Sequence, residues 1–159
     1  MASRRTPIIA LALAALTPLA ACSRNEPQGA KNDPVKAVKD FLVVGSVDQN
    51  GYEACLYLTT RAQRAAVRRS GGPECRQAFD LATFRLGGHR IDSVHEIEHL
   101  ESSSSVSGSR ASVRLSKDGD SGSFLLLKAT RREQQQFLAP DTEWRIAAGG
   151  LSVIPTERL

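Results

Sequence analysis

The residues whose types and spacing best suit chemistry are His95, Glu96 and His99, in the run His95-Glu96-Ile97-Glu98-His99. That run matches H-E-x-x-H, in which one helix face presents two imidazoles to zinc and the glutamate activates a water. The surrounding residues argue against that use. Ile91, Val94, Ile97 and Leu100 recur every third residue, a spacing that would drift around a helix rather than form a stripe. A strand with one bulge between Val94 and Ile97 suits the pattern, and the β-branched content favours it. Ser93 followed by Glu96 argues the other way, as a capping box, though for a helix of only about two turns. Charge at Glu98 and Glu101 departs from the zinc-protease pattern, and no histidine follows His99 to complete a ligand set. The expectation is an exposed polar strand face, with no catalytic residue, no metal and no cofactor. His89, after Gly88, adds nothing decisive.

The cysteines are the second set of reactive groups. Cys22 ends the run Leu19-Ala20-Ala21-Cys22, preceded by Arg4, Arg5 and a short apolar core from Ile8 to Ala21. This resembles the lipobox of bacterial lipoproteins, a processing signal too short and wrongly flanked for a membrane span. An ordinary secretory signal with a chance cysteine is the alternative, but Leu19 is a poor −3 residue for that cleavage. The reading is residues 1–21 as a signal peptide and Cys22 as a lipidated first residue, held to the membrane by more than one acyl chain. Each buried methylene contributes about 0.8 kcal/mol to such anchoring. The chain would then face the extracytoplasmic side, as cell surface or periplasm. Cys55 and Cys75 remain as an even pair outside the reducing cytoplasm, which suits a disulfide worth about 3 kcal/mol. Two separate buried thiols are the alternative.

Such an address shapes the reading of composition. The 159 residues carry a net charge of +4, part of which leaves with Arg4 and Arg5. The basic balance therefore makes no case for nucleic acid, and supports at most weak attraction to anionic headgroups. What remains after the signal suffices for one domain with one core.

The elements that would position these residues follow in order. Ser23 to Asn32 is polar and lacks apolar periodicity, so residues 22–32 read as a tether. Asp33-Pro34 is an N-cap followed by a first-turn proline. Val35, Val38, Phe41, Leu42 and Gly45 then fall at helical spacing. Asp48-Gln49-Asn50-Gly51 is a turn, and Tyr52, Cys55 and Leu56 suit a second helix ending near Leu58. Thr59 or Thr60 caps another helical stretch in which Arg61, Arg64, Arg68 and Arg69 form a solvated side in preference to a lipid-facing one. After Ser70-Gly71-Gly72-Pro73 a further helix is expected, with Cys75, Ala78, Phe79 and Ala82 on one side.

Beyond Gly87-Gly88 the pattern changes to strands. Ala111, Val113 and Leu115 alternate with Ser112 and Arg114. Ser123 to Ala129 reads as a buried strand, and Trp144-Arg145-Ile146 alternates again, Trp144 being a core or rim residue. Gly108-Ser109 and Asp118-Gly119-Asp120 are expected hairpin turns, Ser102 to Ser105 a low-complexity loop, and Arg131 to Asp141 a long polar connection. Helices first and an antiparallel sheet afterwards make an α+β domain.

The order resembles the nuclear transport factor 2-like superfamily, and within it small exported bacterial lipoproteins. The resemblance rests on Pro34-Val35-Lys36-Ala37-Val38-Lys39-Asp40-Phe41, Ala54-Cys55-Leu56-Tyr57-Leu58-Thr59 and the partner Cys75. Gly108-Ser109-Arg110-Ala111-Ser112-Val113 and the closing Glu143-Trp144-Arg145-Ile146 complete it. It implies a cone over residues 33–150, with three N-terminal helices on a curved antiparallel sheet, a cleft between them, and a C-terminal tail at 151–159. The fold does not imply catalysis. The expectation is a non-catalytic envelope module that takes a small apolar ligand or an envelope protein. Structural dimerisation, as a homodimer, and an isomerase or dehydratase activity are the alternatives. An exposed apolar outer sheet face would favour the dimer, and a raised-pKa carboxylate in the cleft would favour the enzyme.

Overall fold

The computed structural model describes residues 30–80, 82–136, 138–149 and 152–155. Residues 1–21, read above as a signal peptide, and Cys22 lie outside the described residues. Within them, no helix is long and apolar enough to cross a membrane. The fold is α+β, with helices packed on antiparallel sheets.

Helix α1, Pro34–Leu42, starts where the Asp33 carboxylate accepts from the Val35 N–H at 2.8 Å, with proline in the first turn. Ala37, Val38, Phe41 and Leu42 are buried on its inner side. The helix widens into a π-helical turn over Val43–Val47. Gly45 sits there because Phe84 approaches closely: a Cβ at that position would lie 2.9 Å from the ring. Helix α2, Gly51–Leu56, is capped by Asn50, and α3, Thr60–Ser70, by Thr59. Gly71, at a φ of 68°, closes α3.

The expected further helix after Pro73 is one 3-10 turn, Cys75–Ala78. The chain then enters strand β1, Ala82–Leu86, so that Phe79 and Phe84 both reach the core. Strand β2, His89–Ile91, returns beside it. Helix α4, Val94–Glu98, follows, then β3 (Glu101–Ser107), β4 (Arg110–Lys117) and β5 (Asp120–Lys128). A short helix α5, Arg131–Gln134, lies within the polar connection before β6, Trp144–Gly149. Strand β7, Ser152–Pro155, pairs with β1 although it falls in the stretch read as a C-terminal tail.

The strands form a four-stranded sheet in the order β3-β4-β5-β6 and a three-stranded one in the order β2-β1-β7. Ala111, Val113, Leu115, Phe124 and Leu126 point inward to the core, with β4 against α1, whereas Ser112, Arg114, Ser121, Ser123 and Leu125 are exposed on the outside. The expected buried run from Ser123 is thus an alternating strand, with Leu125 44% exposed. The serine run expected as a loop is most of β3. Pairing with β4 in continuous register from Glu101↔Ser116 to Ser107↔Arg110 outweighs its loop-like composition.

Candidate binding cleft

Helix α3 has no buried residue. Toward β6 most of its length presents Ala62, Ala65 and Ala66, and such short side chains cannot fill the space between the helix and β6. A cleft of about 280 Å³ results. Phe41, Phe79, Phe84 and Phe124 line it together with Leu58 and Ile146. Three of these rings lock one another. Phe41 meets Phe84 edge-on at 5.5 Å and Phe79 edge-on at 5.9 Å, while Phe79 and Phe84 stack at 6.2 Å. Among the described lining residues the one charged side chain is Arg69, near the C-terminal end of α3. Ser70 beside it is already committed, donating to the Val67 carbonyl at 3.2 Å.

Two covalent and polar braces hold this wall. Cys55, at the end of α2, is bonded to Cys75 in the 3-10 turn across a Cα–Cα distance of 6.1 Å, so the disulfide closes the loop that contains α3. At the other end, Glu133 of α5 accepts from the Thr60 backbone N–H at 3.0 Å and from the Thr60 hydroxyl at 3.2 Å. Its second carboxylate oxygen accepts the Thr130 N–H and hydroxyl, both at 2.9 Å. Burial alone would raise the Glu133 pKa. The donors from Thr130 and Thr60 outweigh it and hold the carboxyl below its ordinary value.

Arg145, 1% exposed on β6, lies close enough to Glu133 to feel its charge. It donates through Nη1 to the Thr142 and Trp144 carbonyls at 2.8 and 2.9 Å. Its Nε and Nη2 are buried without a hydrogen-bond partner, and burial lowers its pKa. Sequence reasoning missed both residues. The Thr130-x-x-Glu133 spacing, a capping box that the structure forms in full, was the signal for Glu133.

The histidine motif stands elsewhere, and on a helix rather than the expected bulged strand. Ser93 accepts from the Glu96 N–H at 3.2 Å and starts α4, so the local cap outweighs the β-branched content. Lys39 of α1 secures the other end by donating to the Glu98 and Leu100 carbonyls at 2.8 and 3.2 Å. The His95 and His99 rings are 4.2 Å apart and exposed, with His99 Nδ1 at 2.7 Å from the His95 carbonyl. Glu96, the residue that would activate water, is ion-paired with Lys117, and this pairing raises the lysine pKa. Among the described residues no cluster of three metal-ligating side chains exists. Nothing in this arrangement provides the geometry of a zinc protease.

No protein-family model, curated protein or solved structure matches this chain.

Proposed function

We propose that this chain is a non-catalytic, lipid-anchored extracytoplasmic protein that takes a small apolar ligand in the cleft beneath α3. The observation that carries the reading is the lining: four phenylalanines, aliphatic side chains and the alanine face of α3, with Arg69 as the one charge among the described lining residues. A ligand with an apolar body and a single anionic group fits that arrangement, because the guanidinium can meet the anion where the described lining residues offer no other polar side chain except Ser70. The size suits a molecule near the lower limit of ordinary ligand pockets, about 300 Å³.

The alternatives gain less support. An isomerase-type enzyme requires a carboxylic acid in the cleft. No carboxylate is among the described lining residues, and the buried Glu133 has a lowered pKa. Dimerisation through the outer sheet face requires an apolar surface, and that face is mainly serine with Arg110 and Arg114. The cone-shaped nuclear transport factor 2-like fold is part of the same proposal, supported by the helix order and by a cleft between helices and sheet.

The anchor at Cys22 remains the sequence-based part of the reading. Together they describe a module that holds a small amphiphile close to the membrane in which its own lipid is inserted.

Titration with anilinonaphthalene sulfonate, which joins apolar rings to one anionic group, tests the cleft. The full chain should bind the probe saturably and with one-to-one stoichiometry. Ala66→Trp, which fills the space under α3, should abolish binding, and Arg69→Glu should weaken it about tenfold, the effect of losing one charge-assisted contact. Binding that does not saturate, or that survives Ala66→Trp unchanged, would overturn the reading.

A further inference from the structure

We propose that β3 is a pairing edge for a second copy of this chain, joining two four-stranded sheets through antiparallel β3 strands. The two edges of the sheet are treated differently. On the β6 side, the chain itself covers the edge. Ile146 N–H donates to the Tyr57 carbonyl at 2.8 Å and its carbonyl accepts from Thr59 at 3.0 Å, with Leu58 bridged to Ile146. On the β3 side no strand among the described residues pairs, and all seven residues of Glu101–Ser107 are exposed.

An uncovered edge usually carries a device against pairing: a proline, a lysine, a bulge or a very short strand. Strand β3 has none of these. Its register against β4 is continuous over seven pairs, and its one charge is Glu101 at the first position.

The free backbone groups can be located. Gly108, at a φ of 57°, and Ser109 form a two-residue turn closed by Ser107↔Arg110. The closing pair of such a hairpin exchanges hydrogen bonds, and the pattern then alternates. Ser107, Ser105, Ser103 and Glu101 therefore direct their backbone groups toward β4. Ser102, Ser104 and Val106 direct theirs to the open edge.

That triplet is symmetric about Ser104. A twofold axis there sets Ser104 opposite Ser104 of the partner subunit and Ser102 opposite Val106 of the partner subunit, so about six backbone bonds form. It also sets Glu101 opposite Ser107 of the partner subunit, on the same sheet face as the Arg110 that pairs with Ser107. Opposite charges thus converge at both ends of the contact. Parallel in-register pairing would instead stack Glu101 on itself, a like-charge arrangement that opposes association. Val106, 54% exposed on the inner side of the sheet, becomes covered. This inference is independent of the cleft.

The test uses the full chain in mild detergent. Sedimentation velocity should show a dimer whose fraction rises with concentration. Ser104→Pro removes an outward N–H without touching the β3–β4 ladder, a position where an edge strand accepts proline. It should leave a monomer with unchanged far-ultraviolet circular dichroism. Because that variant could unfold, a cross-link keeps the proposal falsifiable. Chains bearing Ser103→Cys and Ser105→Cys, given different masses and mixed under mild oxidation, should form the mixed disulfide in preference to either like pair. The unsubstituted chain, oxidised in parallel, reports any cross-link through Cys22. A monomer at all concentrations, a dimer that survives in a folded Ser104→Pro chain, or a preference for like pairs would each overturn the proposal.

Discussion

Glu133 accepts from four donors and lies beside a buried arginine, so its charge is required where it sits. Glu133→Gln should destabilise the fold by about 2–4 kcal/mol, because Arg145 loses its nearby counter-charge and the threonine donors lose a charged acceptor. The pH dependence has a definite sign. The folded-state pKa is lowered, so the stabilisation is full above the unfolded carboxyl value, near 4.5, and disappears as pH falls through the folded value. Thermal melts taken downward from pH 5 should fall less steeply in Glu133→Gln than in the parent chain. At Gly45 the constraint is steric. Gly45→Ala pushes a methyl against Phe84 and should cost about 1–3 kcal/mol in a denaturant melt. Neither effect could be assigned from composition. Thr130 and Glu133 spell a capping box, but the Thr60 contact spans 73 residues of sequence. The Phe84 ring reaches Gly45 only once β1 is in place.

Elements with their own local signals were legible. Asp33-Pro34 and Thr59 cap the starts of α1 and α3, Asn50 of the expected turn caps α2, and Gly71, in a left-handed backbone, closes α3. Strand β4 announced itself by strict alternation. Elements fixed by distant partners were not legible. Ser102 to Ser105 became a strand because β4 offers a ladder, which no local propensity records. The segment after Pro73 stopped after one 3-10 turn because β1 must begin in time to pair with both β2 and β7. At α4 the Ser93 cap was decisive over five residues, too short for apolar periodicity to speak. Helix α3 supports a prediction of its own. With no buried residue, it depends on the braces at its ends. Reducing Cys55–Cys75 should lower stability by about 3 kcal/mol and speed amide exchange in α3 more than in α1.

The molecule as a whole joins an anchor expected at Cys22, a helical wall braced at both ends and a phenylalanine-lined space behind it. The residues of that space come from α1, α3, the 3-10 turn, β1, β5 and β6, so the sequence could imply a cleft only through a resemblance, not name its lining. The exposed arginines of α3 belong to the same picture: Arg69, expected on the solvated side, lines the cleft, and Arg61, Arg64 and Arg68 keep the helix solvated. The central claim is occupancy of the cleft, and paired native and denaturing mass spectra of the full chain, extracted from its own membrane, test it most directly. The denaturing mass should exceed the mature polypeptide by the acyl groups on Cys22. The native mass should be larger still, by one small molecule, and Ala66→Trp should remove that second increment while keeping the first. Equal native and denaturing masses in the parent chain, or a second increment that persists in Ala66→Trp, would contradict the account.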